Sequence, residues 1–306
     1  MYHDRGVHLR RRRNASVRRA YVWVVAAYAA ALVAAVATVV VVDWRHPLAV
    51  ALAADVAATL VIFAFSVAFG NSSFYDPYWS VAPAPIAIYW ASQAQAAGVS
   101  GVRQALVIGF LALWGARLTY NWLRGWHGLG HEDWRYVRLQ EQSGRAYWLV
   151  SFFGIHLFPT LIVFAACVPA YAAIAVGTRP LGLLDAVAVA VTAGAIWIEA
   201  RADRELHEFR AGRPAPESVL ASGVWSWSRH PNYFGEMSFW WGLFLFGLAA
   251  VPSWWWAGIG ALSITLMFRF ISLPMMEERM RERRPGYSAY AARTSLVVPL
   301  PPREHA

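Results

Sequence analysis

The stretch Ala20–Val42, AYVWVVAAYAAALVAAVATVVVV, contains 23 residues and no charge. That is longer than the apolar region of a cleaved leader and long enough to cross the roughly 30 Å hydrocarbon core of a bilayer. It therefore reads as a first transmembrane helix, preceded by a basic tail over 1–19. Seven more apolar segments follow, near 47–70, 78–98, 104–123, 147–176, 180–198, 233–250 and 253–273. Pro83 and Pro85 interrupt the third and Pro159 the fifth, so kinks are expected there. The expectation is an all-α integral membrane protein, a bundle of seven or eight transmembrane helices, with a single transmembrane domain over 20–300.

Composition agrees. The 306 residues are 58% hydrophobic and include 17 Trp, a balance that marks a polytopic membrane protein. All 27 basic residues are Arg, and the net charge is +9. In such a chain, Arg-rich loops follow the positive-inside rule and meet anionic lipid, so nucleic acid is not the expected partner. With the N-terminus inside, the inner segments hold 22 Arg, while the outer loops hold Arg45, Arg103 and Arg179. Both termini are therefore placed in the cytoplasm, in what reads as a bacterial inner membrane. The single Cys, Cys167, lies in an apolar run and excludes an internal disulfide.

Ionisable groups inside a membrane are costly and mark cavities or partners. Asp55 and Asp185 fall in or near spans. Arg117 and Asn121 share a helical face late in the fourth segment, as a snorkelling pair or as substrate contacts. Glu199, Asp203 and His207 form one stripe. His127 and His131 are flanked by Gly128 and Gly130, which disfavour a helix; no metal site is expected, and a loop that orders on a cofactor or another loop fits better.

The densest polar cluster is Ser228–Glu236, SRHPNYFGE, at the threshold of the seventh segment. Pro231 disfavours helix at His230 and suits the first turn of a helix after it. Free N–H groups there, beside Arg229 and His230, make a site for phosphate or carboxylate. Gly235 permits close approach of a backbone or a flat ring, and Asn232 and Glu236 lie one turn apart. A second polar run follows the last span, with Glu277, Glu278, Tyr287 and Tyr290. Three clusters, 199–213, 228–236 and 277–290, end spans on one side of the membrane, where they would close around one large charged ligand.

GVWSWSRHPNYFGEMSFWWG (223–242), with EARADRELHEFR (199–210) before it and MMEER and RPGYSAYAARTSLVVP after it, resembles the steroid 5α-reductase superfamily and, within it, the DUF1295 family. RLTYNWLRGWHGLGHEDWRY (117–136) and YWLVSFFGIHLFPTLIVF (147–164) extend the likeness over about 70–300. The resemblance implies a membrane oxidoreductase that holds NADPH in a cytoplasm-facing cleft, the cofactor half being about 180–300. It implies hydride transfer to a conjugated C=C bond of a sterol-like or other lipid-soluble enone. By position it implies cofactor contacts at Asp203, Asn232, Tyr233, Gly235, Glu236 and Arg269, with Arg210, Arg229, His230, Glu278, Tyr287 and Tyr290 joining them. Arg210 and Arg213 would serve a 2′-phosphate. Asp76, in YDPYWSVAP, takes the place of the family's catalytic carboxylate. A tyrosine partner is sought among Tyr120, Tyr75 and Tyr78, with Trp114 near the expected position; Tyr120 is the first choice. A related Arg-His-Pro and Glu-Glu pattern also occurs in isoprenylcysteine carboxyl methyltransferases, so the alternative is a lipid or prenyl methyltransferase using S-adenosylmethionine. A transporter or lipid-binding scaffold is a third class, which would show repeats and broken helices.

Overall fold

A computed structural model describes residues 3–94 and 98–303, with side chains from Val17 onward. Every regular element among the described residues is helical. In chain order these are α1 (His3–Val41), α2 (Pro47–Phe69), α3 (Tyr78–Val81), α4 (Pro83–Ser92), α5 (Gly101–Gly125), α6 (Trp134–Ser143), α7 (Tyr147–Val150) and α8 (Phe158–Tyr171). Then follow α9 (Leu183–Ala211), α10 (Pro231–Ala250), α11 (Gly258–Met267), α12 (Leu273–Arg283) and α13 (Tyr287–Arg293). Helix ends follow local chemistry. Pro47 occupies the first turn of α2, His46 Nδ1 accepts from Leu48 N–H, and Gly70 closes the helix at φ +62, a left-handed cap that favours glycine. Pro231 likewise opens α10, with His230 as its non-helical cap.

Among the described residues, six helical stretches are long and apolar enough to cross a membrane: Val17–Val41, Pro47–Phe69, Gly101–Gly125, Trp134–Val176, Leu183–Ala211 and Pro252–Arg283. The chain is thus an all-helical bundle of the integral-membrane kind. α10, with 20 residues, is about 30 Å long and adds a helix of spanning length. The third apolar segment does not form a span. Only Ala82, itself in helical geometry, separates α3 from α4, and the two together run from Tyr78 to Ser92, short of the length a span requires; residues 95–97 lie outside those described.

The fifth segment is continuous but not uniform. Two π-helical turns, Ser151–Leu157 and Ala172–Val176, interrupt α-helical geometry. Pro159 lacks the N–H that an α-helix would direct at Ile155, and Pro169 the one for Ala165. At Ala165 a neighbour takes advantage of the opening: a Cβ added to Gly260 of α11 would collide with the Ala165 carbonyl.

The chain divides into two compact units, with the division falling inside α5 after Trp114. Unit 1 comprises 1–89 and 115–164, and unit 2 comprises 90–114 and 165–306. In unit 1, Ala20, Val24, Ala27 and Ala31 form one small-residue face of α1. They pack with Ala58 and Ile62 of α2 and with Phe74, Tyr75 and Tyr78. In unit 2, α9 and α10 meet along glycines seven residues apart. A Cβ at Gly235 would strike the Glu199 side chain and the Ala195 carbonyl, and one at Gly242 would strike Thr192. Without a hydrophobic drive between helices in lipid, such close backbone contact is a main source of association.

Unit 2 also holds a buried ion pair. Arg103, counted above with a loop, is the third residue of α5 and is 0% exposed. Its Nε donates to Asp185 Oδ1 at 2.7 Å and its Nη2 to Oδ2 at 3.0 Å, while Nη1 donates to the Arg179 carbonyl. Asp185 Oδ2 also accepts from Gly182 N–H at the start of α9. Removing one member leaves a buried uncompensated charge, which typically costs about 3–5 kcal/mol. Arg103→Ala is therefore expected to lower the unfolding midpoint in detergent strongly, and an unshifted midpoint would contradict this role for the pair.

Candidate functional site

The polar cluster at the start of α10 is assembled in unit 2 around one carboxylate that nothing in its local sequence singles out. Glu277 of α12 is buried, with its side chain 10% exposed. His230 Nε2 donates to Glu277 Oε1 at 2.8 Å, and Tyr287 OH donates to the same oxygen at 2.5 Å. Arg229 Nη1 donates to Oε2 at 2.5 Å, and Arg281, one turn on, is 3.6 Å from that oxygen. Burial and the carboxylate it serves push the Tyr287 phenol well above its usual range, so it stays a donor. Leu273 and Glu277 are both buried, four residues apart on one face of α12. Glu278, the neighbour chosen from sequence, is exposed.

The loop carrying Arg229 and His230 is held from behind by the segment after α13. Arg229 N–H donates to the Ser295 carbonyl at 2.8 Å, Leu300 N–H to the Trp227 carbonyl at 3.0 Å, and Ser228 Oγ to the Val297 carbonyl at 2.7 Å. Tyr290 OH donates to the Trp225 carbonyl at 2.5 Å, and burial raises its pKa too. The His230 ring stacks on Tyr233 at 5.3 Å, and Tyr233 meets Phe268 at 4.8 Å beside the π turn Phe268–Ser272. Two polar atoms in this motif are buried without a hydrogen-bond partner: Arg229 Nε, a donor, and Asn232 Oδ1, an acceptor. Such atoms are uncommon in folded proteins, and here they lie three residues apart in sequence at a helix start.

Arg229, His230, Tyr233, Tyr287 and Tyr290 are thus brought together, with Asn232 on the next turn. Other expected contacts have different surroundings. Gly235 lies against α9. Glu236 is buried; its Oε2 accepts from Trp114 Nε1 at 3.0 Å and its Oε1 from Trp240 Nε1 at 2.8 Å. Trp114, the aromatic residue near the position sought for a tyrosine, also stacks on Phe239 at 4.8 Å. Asp203 is half-buried on α9, and Arg210, exposed near its end, lies within electrostatic reach of Asp203 and Arg284. Arg269 is exposed, its guanidinium 5.4 Å over the Phe270 ring.

Unit 1 carries the residues expected to do acid chemistry. Asp76 is half-buried, and its Oδ1 accepts from Tyr136 OH at 2.8 Å. Tyr120 is 58% exposed with Arg124 5.3 Å over its ring, so the hydroxyl on Asp76 is that of Tyr136. Arg117 and Asn121 are half-buried on α5. A second carboxyl–phenol pair, read from sequence only as an isolated charge, lies deeper. Tyr78 OH donates to Asp55 Oδ1 at 2.7 Å, with both residues buried. The His127–His131 loop is ordered by Asn71, whose Nδ2 donates to the Leu129 and His131 carbonyls at 2.9 and 3.1 Å. The two imidazoles are 6.0 Å apart.

Burial, reinforced by Asp133, pushes the Asp76 carboxyl from the usual 3.8 to about 7. Between those values the unfolded chain releases a proton that the folded chain keeps, so stability falls as pH rises from about 4 to about 7. Asp76→Asn is expected to flatten that part of a pH–melting profile. A profile identical to that of the parent would show that Asp76 titrates normally.

An uncharacterized protein of Schizosaccharomyces pombe is 27% identical to this chain over 262 residues, covering 78% of this chain and 76% of that protein. No solved structure matches the chain. A family described as proteins of unknown function, DUF1295, matches residues 62–294, a span that includes the Asp55-facing Tyr78, the whole Glu277 cluster and α10. The chain therefore belongs to the DUF1295 family, a steroid 5α-reductase-like group.

Proposed function

We propose that this protein is a membrane-embedded NADPH-dependent reductase of a conjugated C=C bond in a sterol-like or other lipid-soluble enone. The observation that carries the reading is the Glu277 cluster, with its buried Arg229 Nε donor and Asn232 Oδ1 acceptor left for a ligand at the start of α10. A guanidinium beside the first turn of a helix suits a phosphate, and the aromatic faces of Tyr233 and His230 suit a flat ring. The excess of Arg on the segments that bear this cluster places it toward the cytoplasm, where a nucleotide is available; a bacterial inner membrane fits that orientation.

Bound nicotinamide supplies the hydride. The chain's own residues hold the nucleotide, exclude water and deliver a proton. Arg229 and His230 are fixed by Glu277, so they meet a ligand without first losing side-chain freedom. As the carbonyl of the enone takes up charge, it needs a donor. Asp55 and Tyr78 form a protonic pair within and beside an apolar span, where a lipid substrate dissolves; Asp76 with Tyr136 is the second such pair. Arg117 and Asn121 are assigned to the substrate's polar end.

A second reading has its own support. Arg229 and His230 both bond Glu277, which joins the two halves of the Arg-His-Pro and Glu-Glu pattern shared with S-adenosylmethionine-dependent methyltransferases. Thermal unfolding with each nucleotide separates the two. A ligand at about 100 times its dissociation constant stabilises by about 2.7 kcal/mol. NADPH is expected to raise the melting temperature and S-adenosylmethionine to leave it unchanged; the reverse result would move the protein to the methyltransferase reading. Arg229→Ala and Asn232→Ala should each weaken NADPH binding by about tenfold, the loss of one charge-assisted or buried hydrogen bond. Removing a general acid costs on the order of 10²–10⁴ in rate. Tyr78→Phe is therefore expected to abolish most turnover of a lipid enone while sparing NADPH affinity, and full activity would exclude the Asp55–Tyr78 pair.

A further inference from the structure

Unit 1 contains a line of hydrogen-bonding groups that none of these roles uses. It begins at Glu132, half-buried beside the exposed His131. Tyr147 OH donates to Glu132 Oε1 at 3.3 Å and lies 2.7 Å from Ser72 Oγ. Ser72 Oγ is 2.9 Å from Ser151 Oγ, which is 3.5 Å from His156 Nδ1. On the far side, His156 Nε2 is 3.0 Å from Ser66 Oγ. Ser66, Ser72, Ser151 and His156 are each 0% exposed, and the rings of Phe63 and Tyr75 cover the imidazole at 5.1 and 5.0 Å.

Two features distinguish this line from buried groups that merely satisfy one another. A hydroxyl both donates and accepts, so the order of hydrogens along Tyr147, Ser72 and Ser151 is reversible. Moreover, His156 Nδ1 faces two oxygens of the same residue, the Ser151 carbonyl at 3.0 Å and its hydroxyl at 3.5 Å. Carrying a proton, Nδ1 donates to the carbonyl; without one, it accepts from the hydroxyl. Both states are accommodated in place. This depends on the π turn Ser151–Leu157, whose i to i+5 bonding sets residues five apart side by side. In an α-helix they would be turned about 140° from one another.

We infer that Glu132, Tyr147, Ser72, Ser151 and His156 form a proton path from the rim of unit 1 to an imidazole that water does not reach. A proton taken up by the Glu132 carboxylate passes to the Tyr147 oxygen as Tyr147 gives its own to Ser72. Ser72 then gives one to Ser151, and Ser151 gives one to Nδ1. The imidazole keeps it, and Nε2–H continues to donate to Ser66, whose hydroxyl donates to the Ile62 carbonyl. Glu132 returns to its carboxylate, each of the three hydroxyls gains one proton and loses one, and only the delivered charge moves. The path rests on these distances and not on the reductase reading.

The test uses the full chain in lipid nanodiscs with ¹⁵N-labelled histidine. NMR reads the exchange of the His156 ring N–H with water, the signal being assigned by its loss in His156→Gln. Exchange within seconds is expected despite complete burial, slowed by more than about tenfold in Tyr147→Phe, which keeps the ring, and in Ser151→Ala. Backbone amide protection in α8 reports whether each variant stays folded, and Ser72→Ala replaces any that does not. A parent imidazole protected for hours, or exchange equally fast in folded variants, would overturn the path. Neither result depends on whether any nucleotide binds, so failure here and failure of the reductase reading are told apart.

Discussion

The carboxylate of Glu277 receives Arg229, His230 and Tyr287, three donors from two stretches of chain more than forty residues apart in sequence. A buried carboxylate is tolerable only when its lone pairs are taken by good donors, and the loop before α10 and the segment around α13 are placed so that they supply them. The backbone bonds from 295–300 to 227–229 then fix the loop from its other side. The arginine and histidine at the start of α10 are therefore preorganised. What stays unmatched there, one N–H and one carbonyl oxygen, defines the shape of the proposed function.

Unit 1 solves a different problem. Its buried polar groups include hydroxyls, an imidazole and carboxyls paired with phenols. Asp55 with Tyr78, Asp76 with Tyr136, and the serines around His156 are each satisfied by groups that can exchange protons. Unit 2 holds the guanidinium cluster and unit 1 the carboxyl–phenol pairs.

Much of the fold was legible because lipid demands long uncharged runs, and charge-free length is the plainest signal a sequence carries. The segment at 78–98 shows the limit. Its composition fits a span, but Pro83 and Pro85 each withhold a helical N–H, and the helical stretch ends at Ser92. The π turns were not legible, since Pro159 announces a disturbance without stating its geometry, and the pairing of Ser151 with His156 exists only in that geometry. At the candidate site, the motif 228–236 was recognised, but the choice between Glu277 and Glu278 required helix phase. The spacing from Leu273 was the available signal. Gly235 was read as room for a close approach, and it is α9 that approaches. Glu236 was implied as a cofactor contact by its place in the motif; the two indole N–H groups that bind it come from Trp114, over a hundred residues earlier, and Trp240. Arg103 and Asp185 lie 82 residues apart in sequence, and nothing local announces such a partnership.

The most direct measurement is a nucleotide titration of Glu277→Gln beside the parent, with thermal unfolding recorded on both. Glutamine keeps the size of the side chain but loses the charge that gathers Arg229 and His230. The account predicts that the parent binds NADPH and that the variant, still folded, binds it at least about tenfold more weakly, as expected when a charged hydrogen-bond network is broken. A folded variant with the parent's affinity would show that Glu277 does not organise the site.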